Sequence, residues 1–403
     1  MIKNLLQRFQ RKNGNNSALM NTYKRLPIAF TKGEGMQLWD DNDKSYLDAL
    51  GGIAVTVLGH KHPQFTAALK EQADQILHTS NLFQIPAQET LGKKLCEISG
   101  MDKVFITNSG AEANEAAIKL ARKHGNDQGI VNPVIITAEN SFHGRTMATL
   151  SATGNDAIKA GFSPLLKGFV HVPYNNVDAI TSHADNSDVV AVMLEPIQGE
   201  AGIIIPDEDY LTKVRAVCDD NNWLLITDEI QSGIGRTGKW CAQEHAGISA
   251  DVITFAKALG NGIPIGACAA RGKAAEVLGQ GNHGTTFGGN PFACSMASEV
   301  LAIIEQDNLL EHMAEIGDYL LNSLKLNLGN NDKVADIRGK GLMLAVELNA
   351  VYDDLIHRFL AAGLIVNITG GGKTIRLLPP AIMQKEEADS IAKTIATVIR
   401  ELN

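Results

Sequence analysis

The stretch WLLITDEIQSGIGRTG, residues 223–238, decides between two kinds of α/β protein. Its first five residues are apolar or β-branched, the composition of a strand covered on both faces. Its last six, GIGRTG, match the G-x-G-x-x-G pattern of a dinucleotide site. That pattern has to sit at the strand end and open a helix, so that its glycines bring a pyrophosphate onto the helix N-terminus. Here Asp228, Glu229, Ile230, Gln231 and Ser232 intervene, and the following KWCAQEHAG is a poor helix. The nicotinamide reading therefore fails. What remains is a buried strand with a carboxylate, Asp228, at its carboxyl end, which is costly unless a cation meets it.

Similar strands recur on either side. KVFIT (103–107), VIIT (134–137), VVAVML (189–194) and VITF (252–255) each read as a strand buried on both faces. Helical patterns such as AEANEAAIKLARKHG (111–125) and DYLTKVRAVCDDNN (209–222) lie between them. This alternation predicts a mostly parallel central sheet covered by helices. After about residue 290 come two long helical stretches, FACSMASEVLAIIEQ (292–306) and LLEHMAEIGDYLLNSLKLNL (309–328). Short strands follow in LMLAVEL, LIVNI and IRLLPP, then a last helix in KEEADSIAKTIATVIREL. A smaller α/β domain is expected here, completed by N-terminal strands in MQLWD and SYLDAL. The expected division is an N-terminal extension, 1–22; an N-terminal part of the small domain, 23–55; a large ligand-binding domain, 56–290; and the C-terminal small domain, 291–403.

Composition narrows the function. The 403 residues leave room for two domains with sizeable cores. A net charge of −9 without a dense Lys/Arg cluster argues against nucleic acid or an acidic membrane surface as partner. No apolar run approaches the length of a membrane span. The five cysteines are scattered and form no CxxC pair, which points to reduced thiols in a cytoplasm and to no metal site. MIKNLLQRFQRKNG at the N-terminus has no acid and spaces Ile2, Leu5, Leu6 and Phe9 like a helix. Its composition resembles a transit peptide; an amphipathic arm lying on the protein or on a partner subunit is the preferred reading. TGGGKT (369–374) mimics a phosphate-binding P-loop, but the required first glycine falls on Asn367.

In open α/β sheets, ligands bind outside the carboxyl ends of the strands. After KVFIT comes Asn108-Ser109-Gly110-Ala111 and a helix; after VIIT, the loop Ser141-Phe142-His143-Gly144-Arg145. VVAVML is followed by Glu195 and then Glu200, WLLIT by Asp228 and Gln231, and VITF by Lys257. Taken singly, Asn108 or Ser109 is a helix cap, Phe142 is core, and Asp228 and Lys257 are structural charges. Together they offer free N–H groups and a dipole end for a phosphate, an aromatic face for a flat ring, a carboxylate for a ring nitrogen and an amine for an aldehyde. One ligand answers all four: pyridoxal 5′-phosphate, which binds lysine as a Schiff base and pairs its pyridinium with an acid.

Seven stretches carry a family likeness: YLDALGGIAVTVLGHKHP, FITNSGAEANEAAIKLAR, SFHGRT, LEPIQGEAGI, ITDEIQSGIGRTGKWCAQEHAGI, FAKALGNGIPIGA and GTTFGGNPFAC. Through them residues 22–400 resemble the class III aminotransferases of the fold-type I pyridoxal-phosphate enzymes, on the branch acting on N2-acetylornithine. The resemblance implies that Lys257 bears the Schiff base and Asp228 pairs with the pyridine nitrogen. Gln231 would lie near the phenolic oxygen and Phe142 on the ring. Gly110 and Ala111 would give backbone N–H groups to the phosphate, with Thr286 reaching it from the second subunit of a homodimer. Arg145 would hold a substrate carboxylate beside Thr285. Glu200 and Arg376 would form a switch, the acid covering the arginine for one amino donor and leaving it for glutamate.

The implied reaction moves the δ-amino group of N2-acetyl-L-ornithine to 2-oxoglutarate, in arginine biosynthesis. Succinylornithine, N-succinyl-diaminopimelate and 4-aminobutyrate are the alternative amines; an aminomutase or a non-catalytic scaffold is disfavoured by Glu200 with Arg376 and by the intact Lys257 and Asp228. Two positions depart from the pattern. Gly51-Gly52-Ile53-Ala54-Val55 lacks the tyrosine of the ornithine branch, and Gln84 stands where a tyrosine is expected.

Overall fold

The computed structural model describes residues 18–402. Residues 1–17, most of the expected extension, with the amphipathic pattern of Ile2, Leu5, Leu6 and Phe9, lie outside the described residues.

Fifteen strands are described. Three are N-terminal: β1 (Phe30–Glu34), β2 (Gln37–Asp40) and β3 (Ser45–Asp48). Seven follow: β4 (Lys103–Thr107), β5 (Val134–Ala138), β6 (Phe169–Val172), β7 (Val189–Leu194), β8 (Leu224–Asp228), β9 (Val252–Phe255) and β10 (Gly266–Ala270). The last five are β11 (Val334–Lys340), β12 (Met343–Leu348), β13 (Leu364–Ile365), β14 (Asn367–Thr369) and β15 (Thr374–Leu377). The middle seven form the central sheet in the order β4-β10-β9-β8-β7-β5-β6. Its pairs from β9 to β6 are parallel. Only β10 is reversed, antiparallel to β9 and to β4, so β4 runs in the same direction as the others. The carboxyl ends of six strands therefore open on one edge of the sheet.

The apolar strands are buried because both faces are covered. Along β8, Leu225 joins the main core while Leu224 and Ile226 join a second cluster with Ala116, Ala117 and Leu120 of the helix Gly110–Asp127. The alternation is the period-2 geometry of a strand between two layers of helix.

Three features differ from expectation. KVFIT is an edge strand, with Lys103 exposed and Val104 and Phe105 half-buried rather than covered on both faces. β10, GACAA, carries little β propensity and went unrecognised. Its first residue has a steric cause: a Cβ on Gly266 would sit 2.5 Å from the Ser109 carbonyl oxygen. β6, FVHV, is the second strand not anticipated. LIVNI, read as one strand, divides at Val366. β13 pairs parallel with β3 in the sheet β1-β2-β3-β13, while β14 pairs with β15 in the sheet β11-β12-β15-β14.

Candidate active site

The strand ends enclose a cavity of about 450 Å³ lined by Ser109, Gly110, Ala111, Phe142, Arg145, Glu195, Asp228, Gln231 and Lys257, with Val55 and the segment Gly262–Ile265. Five parallel strands thus bring together residues from Ser109 to Lys257, 148 positions apart in sequence.

Asp228 closes β8 and is 4% exposed. Its Oδ2 accepts a hydrogen bond from Asn114 Nδ2 (2.8 Å) and faces His143 Nδ1 at 2.8 Å, while Oδ1 accepts from the Ile230 amide at 3.1 Å. Asn114 is fully buried; it also donates to the His143 carbonyl (2.7 Å) and accepts from Thr254 Oγ1 (2.8 Å). Burial works against charge on His143, but the hydrogen bond and charge of Asp228 outweigh it and raise the imidazole. Asp228 and His143 therefore form one buried hydrogen-bonded pair.

Lys257 follows β9 in the left-handed backbone region, φ +45°, a strained conformation for a side chain with a Cβ. The amine faces the cavity, and among the described residues no hydrogen bond or ion pair holds it. Burial depresses it, against the pull of Glu200.

Ser109 caps the helix Gly110–Asp127, its Oγ accepting from the Glu112 amide at 3.2 Å. Among the described residues no acceptor meets the Gly110 and Ala111 amides, which open the helix into the cavity. A Cβ on Gly110 would press on Ile230 at 2.9 Å, so the turn admits only glycine without a shift. Phe142 is half-buried, with the exposed Arg145 guanidinium 5.6 Å from its ring centre.

Beside the cavity, Arg376 on β15 is 1% exposed and is met by Glu200. Its Nη1 donates to Glu200 Oε1 (2.5 Å) and Gln231 Oε1 (3.3 Å), and its Nη2 donates to Asn367 Oδ1 (2.7 Å). Burial raises the Glu200 carboxyl, but Arg376, Lys257 and Gln231 overcome that and leave it below its ordinary value. Glu195 sits deeper, its oxygens accepting from the Phe142 and Gly199 amides at 3.1 and 3.2 Å. Burial pushes its carboxyl up to about 7.

Thr285 and Thr286 do not line this cavity. Thr285 Oγ1 accepts from Asn108 Nδ2 at 3.1 Å and borders a neighbouring cavity of about 790 Å³; Thr286 is exposed. Sequence reasoning missed Asn114, His143 and Asn367 as holders of the charged groups, and Glu195 as the holder of two backbone amides. The available signal for Asn114 was a polar side chain on the Ala113-Ala116-Ala117 face of a helix; for His143, its place between Phe142 and Arg145.

Comparison with known proteins adds a family. Residues 18–399 match the model of the family described as aminotransferase class-III. The acetylornithine aminotransferase of Nitrosomonas europaea is 50% identical, over 95% of this chain and 98% of that protein. That of Methanocaldococcus jannaschii is 43% identical over 95% and 96%. Among solved structures, the ornithine aminotransferase of Toxoplasma gondii superposes with a TM-score of 0.93 at 31% identity, covering 99% of this chain and 95% of that one. The acetylornithine aminotransferase of Elizabethkingia anophelis gives 0.86 at 32% identity, with 98% of both chains covered.

Proposed function

Because the chain belongs to the class-III aminotransferases, we propose that it transfers the δ-amino group of N2-acetyl-L-ornithine to 2-oxoglutarate, giving N-acetyl-L-glutamate 5-semialdehyde and L-glutamate, a step of arginine biosynthesis. The observation that carries this reading is the buried Arg376 latched by Glu200 beside Lys257, a cation that can be offered to one amino donor and withheld from another.

The chain is a pyridoxal-phosphate-dependent aminotransferase, and its residues fit the cofactor. Among the described residues the cavity offers a carboxyl group met by three donors, an amine without a partner, an aromatic face and two free amides at a helix N-terminus, the donor set that a phosphorylated pyridine aldehyde requires. In this reading Lys257 holds the aldehyde carbon, Asp228 the ring nitrogen, Phe142 the ring face, Gln231 the phenolic side, and Gly110 and Ala111 the phosphate. When bound, the cofactor supplies an electrophilic carbon and an electron-withdrawing ring.

The protein's own groups supply the rest. Asp228, held in place by His143 and Asn114, is set to hold a proton on the ring nitrogen. Lys257, its amine depressed by burial and facing the cavity, is the base placed to remove the proton from the carbon bearing the substrate's amine and to return one later. Arg145 is the cation for the α-carboxylate of the acylated donor, with Thr285 beside that site. Glutamate brings a second carboxylate close to the reacting carbon; Glu200 then leaves Arg376, which binds it as a charge-assisted pair.

The reading extends to a cytoplasmic homodimer in which Thr286 reaches the partner's phosphate site. Leu82, Phe83 and Phe287 support a covered face: they are exposed, and Asn81 joins their segments by donating to the Thr285 and Gly288 carbonyls. No helix among the described residues is long and apolar enough to cross a membrane. The sheet shared by β1–β3 and β13 supports joining residues 23–55 to 291–403 as one smaller unit beside 56–290.

Single-turnover rates with N2-acetylornithine, succinylornithine, N-succinyl-diaminopimelate, 4-aminobutyrate and ornithine test the substrate. N2-acetylornithine is expected to react fastest; a faster reaction with 4-aminobutyrate or free ornithine refutes the assignment.

A further inference from the structure

We propose that Glu195 is a positioning residue that fastens the Phe142 loop to the loop of Glu200, so that the cofactor-facing and substrate-selecting parts of the site are set as one unit. The proposal rests on the functional reading above and deepens it.

The place of Glu195 in the sheet makes this possible. It follows β7, which lies between β5 and β8. Glu195 therefore stands between the loop that carries Phe142 and the strand that ends in Asp228. Its carboxylate accepts one backbone amide from each side, Phe142 through Oε2 and Gly199 through Oε1. Both are amides of irregular backbone, with no strand or helix partner to hold them, and buried amides left unpaired are costly.

The bridge continues from Gly199. A Cβ there would meet Gln231 Oε1 at 2.4 Å, so the Gly199 backbone rests directly on the Gln231 side chain. Gln231 in turn accepts from Arg376 and donates to Glu200 Oε1 at 3.4 Å. Contacts thus run from Phe142 through Glu195 and Gly199 to Glu200 and Arg376. The segment is also held from below: Tyr174 donates to the Glu195 and Pro196 carbonyls at 2.9 and 3.0 Å, while Ile197 and Ile203 pack with Ala54, Met343 and Leu378 in a small separate core. The carboxylate is the element that joins this anchored loop to Phe142.

A glutamine at 195 keeps the shape but presents an NH2 group to one of the two amides, so one end of the bridge must open. Glu195→Gln full-length holoenzyme, followed by hydrogen–deuterium exchange, is expected to show about tenfold faster exchange in peptides spanning 139–146 or 197–203, with other peptides unchanged. Its single-turnover rates with glutamate and with N2-acetylornithine should shift relative to each other by about fivefold or more, a change in selectivity that general loosening does not produce. Gly199→Ala perturbs the same bridge from its far end and should move that ratio likewise, with the double variant less than additive. Unchanged exchange in both peptides, equal slowing of the two half-reactions, or full additivity would overturn the proposal. The exchange comparison can also be made on the two proteins without added cofactor, so a wild-type protein that fails to bind pyridoxal phosphate refutes the functional reading while the bridge is still tested.

Discussion

Glu200→Gln separates the charge of the latch from its shape. In the wild-type protein the Arg376 guanidinium, 1% exposed, meets Glu200 at 2.5 Å and two neutral oxygens, of Gln231 and Asn367. The substitution keeps a carbonyl oxygen within reach but turns a charge-assisted hydrogen bond into a neutral one. Charged hydrogen bonds contribute about 1.5–3 kcal/mol against about 0.5–1.5 for neutral ones. The Glu200 side chain is 36% exposed, so solvent screening holds the difference to the lower part of that range, about 1–2 kcal/mol. Glutamate no longer has to displace an anion, while the acylated amine meets a cation less well masked. The ratio of single-turnover rates should move toward glutamate by roughly 5–30-fold, since each 1.4 kcal/mol is tenfold. Stopped-flow absorbance with each amino donor in turn reads the ratio directly. Equal slowing of both half-reactions would mean that Glu200 serves the fold alone and refute the latch.

Two further outcomes are expected. Lys257→Ala should lower transamination by at least about 10²-fold and remove any borohydride-trapped cofactor adduct at that position, detected by peptide mass analysis; near-normal turnover would end its assignment. Glu229 concerns stability: it is fully buried, accepts from Ser232 Oγ (2.5 Å) and the Gln243 amide (2.9 Å), and burial pushes its carboxyl up to about 7. The folded state therefore holds a proton there that the unfolded chain has released, and stability falls as pH rises from about 4.5 to about 7 and is level above that. Removing this titration should flatten the dependence by about 3 kcal/mol across that window, so melting temperatures of Glu229→Gln measured from pH 5 to 7.5 should vary less than those of the wild type; parallel curves would refute it.

Asp228, Phe142, Lys257 and Gly110 could be found in the sequence for one reason: each lies at or just beyond the end of a short apolar run, and parallel strands align such ends. Local pattern carried no comparable mark for the groups that hold them. Asn114 sits within a helix, where a lone amide reads as surface, and only the crossing of that helix over β8 and β9 brings it to Asp228. Glu200 and Arg376 meet across 176 residues, a pairing suggested by family likeness and not by spacing. β10 was hidden because the Ser109–Gly110 turn demands glycine at position 266 and three of the other four residues are alanine, neither of which a propensity argument assigns to strands. The change of sheet was hidden because it falls at Val366, within the apolar run Leu364-Ile365-Val366 that reads as a single strand. The cavity-lining Val55 is a similar case: it follows a left-handed run in which Gly51, Gly52, Ile53 and Ala54 all have positive φ, a geometry that two glycines alone do not foretell.

The pairing of β3 with β13 has a temporal side. Leu47 and Asp48 leave the ribosome 317 positions ahead of Leu364 and Ile365, their partners in the completed sheet. At 5–20 residues per second, translation of that interval lasts roughly 15–60 s. Throughout it the β1-β2-β3 meander keeps one side unpaired, an open template for a neighbouring nascent chain. Lys44, whose ammonium ends on the Leu360 and Ala361 carbonyls in the finished protein, stands beside that side as a charge from the outset and discourages such pairing until the proper strand arrives.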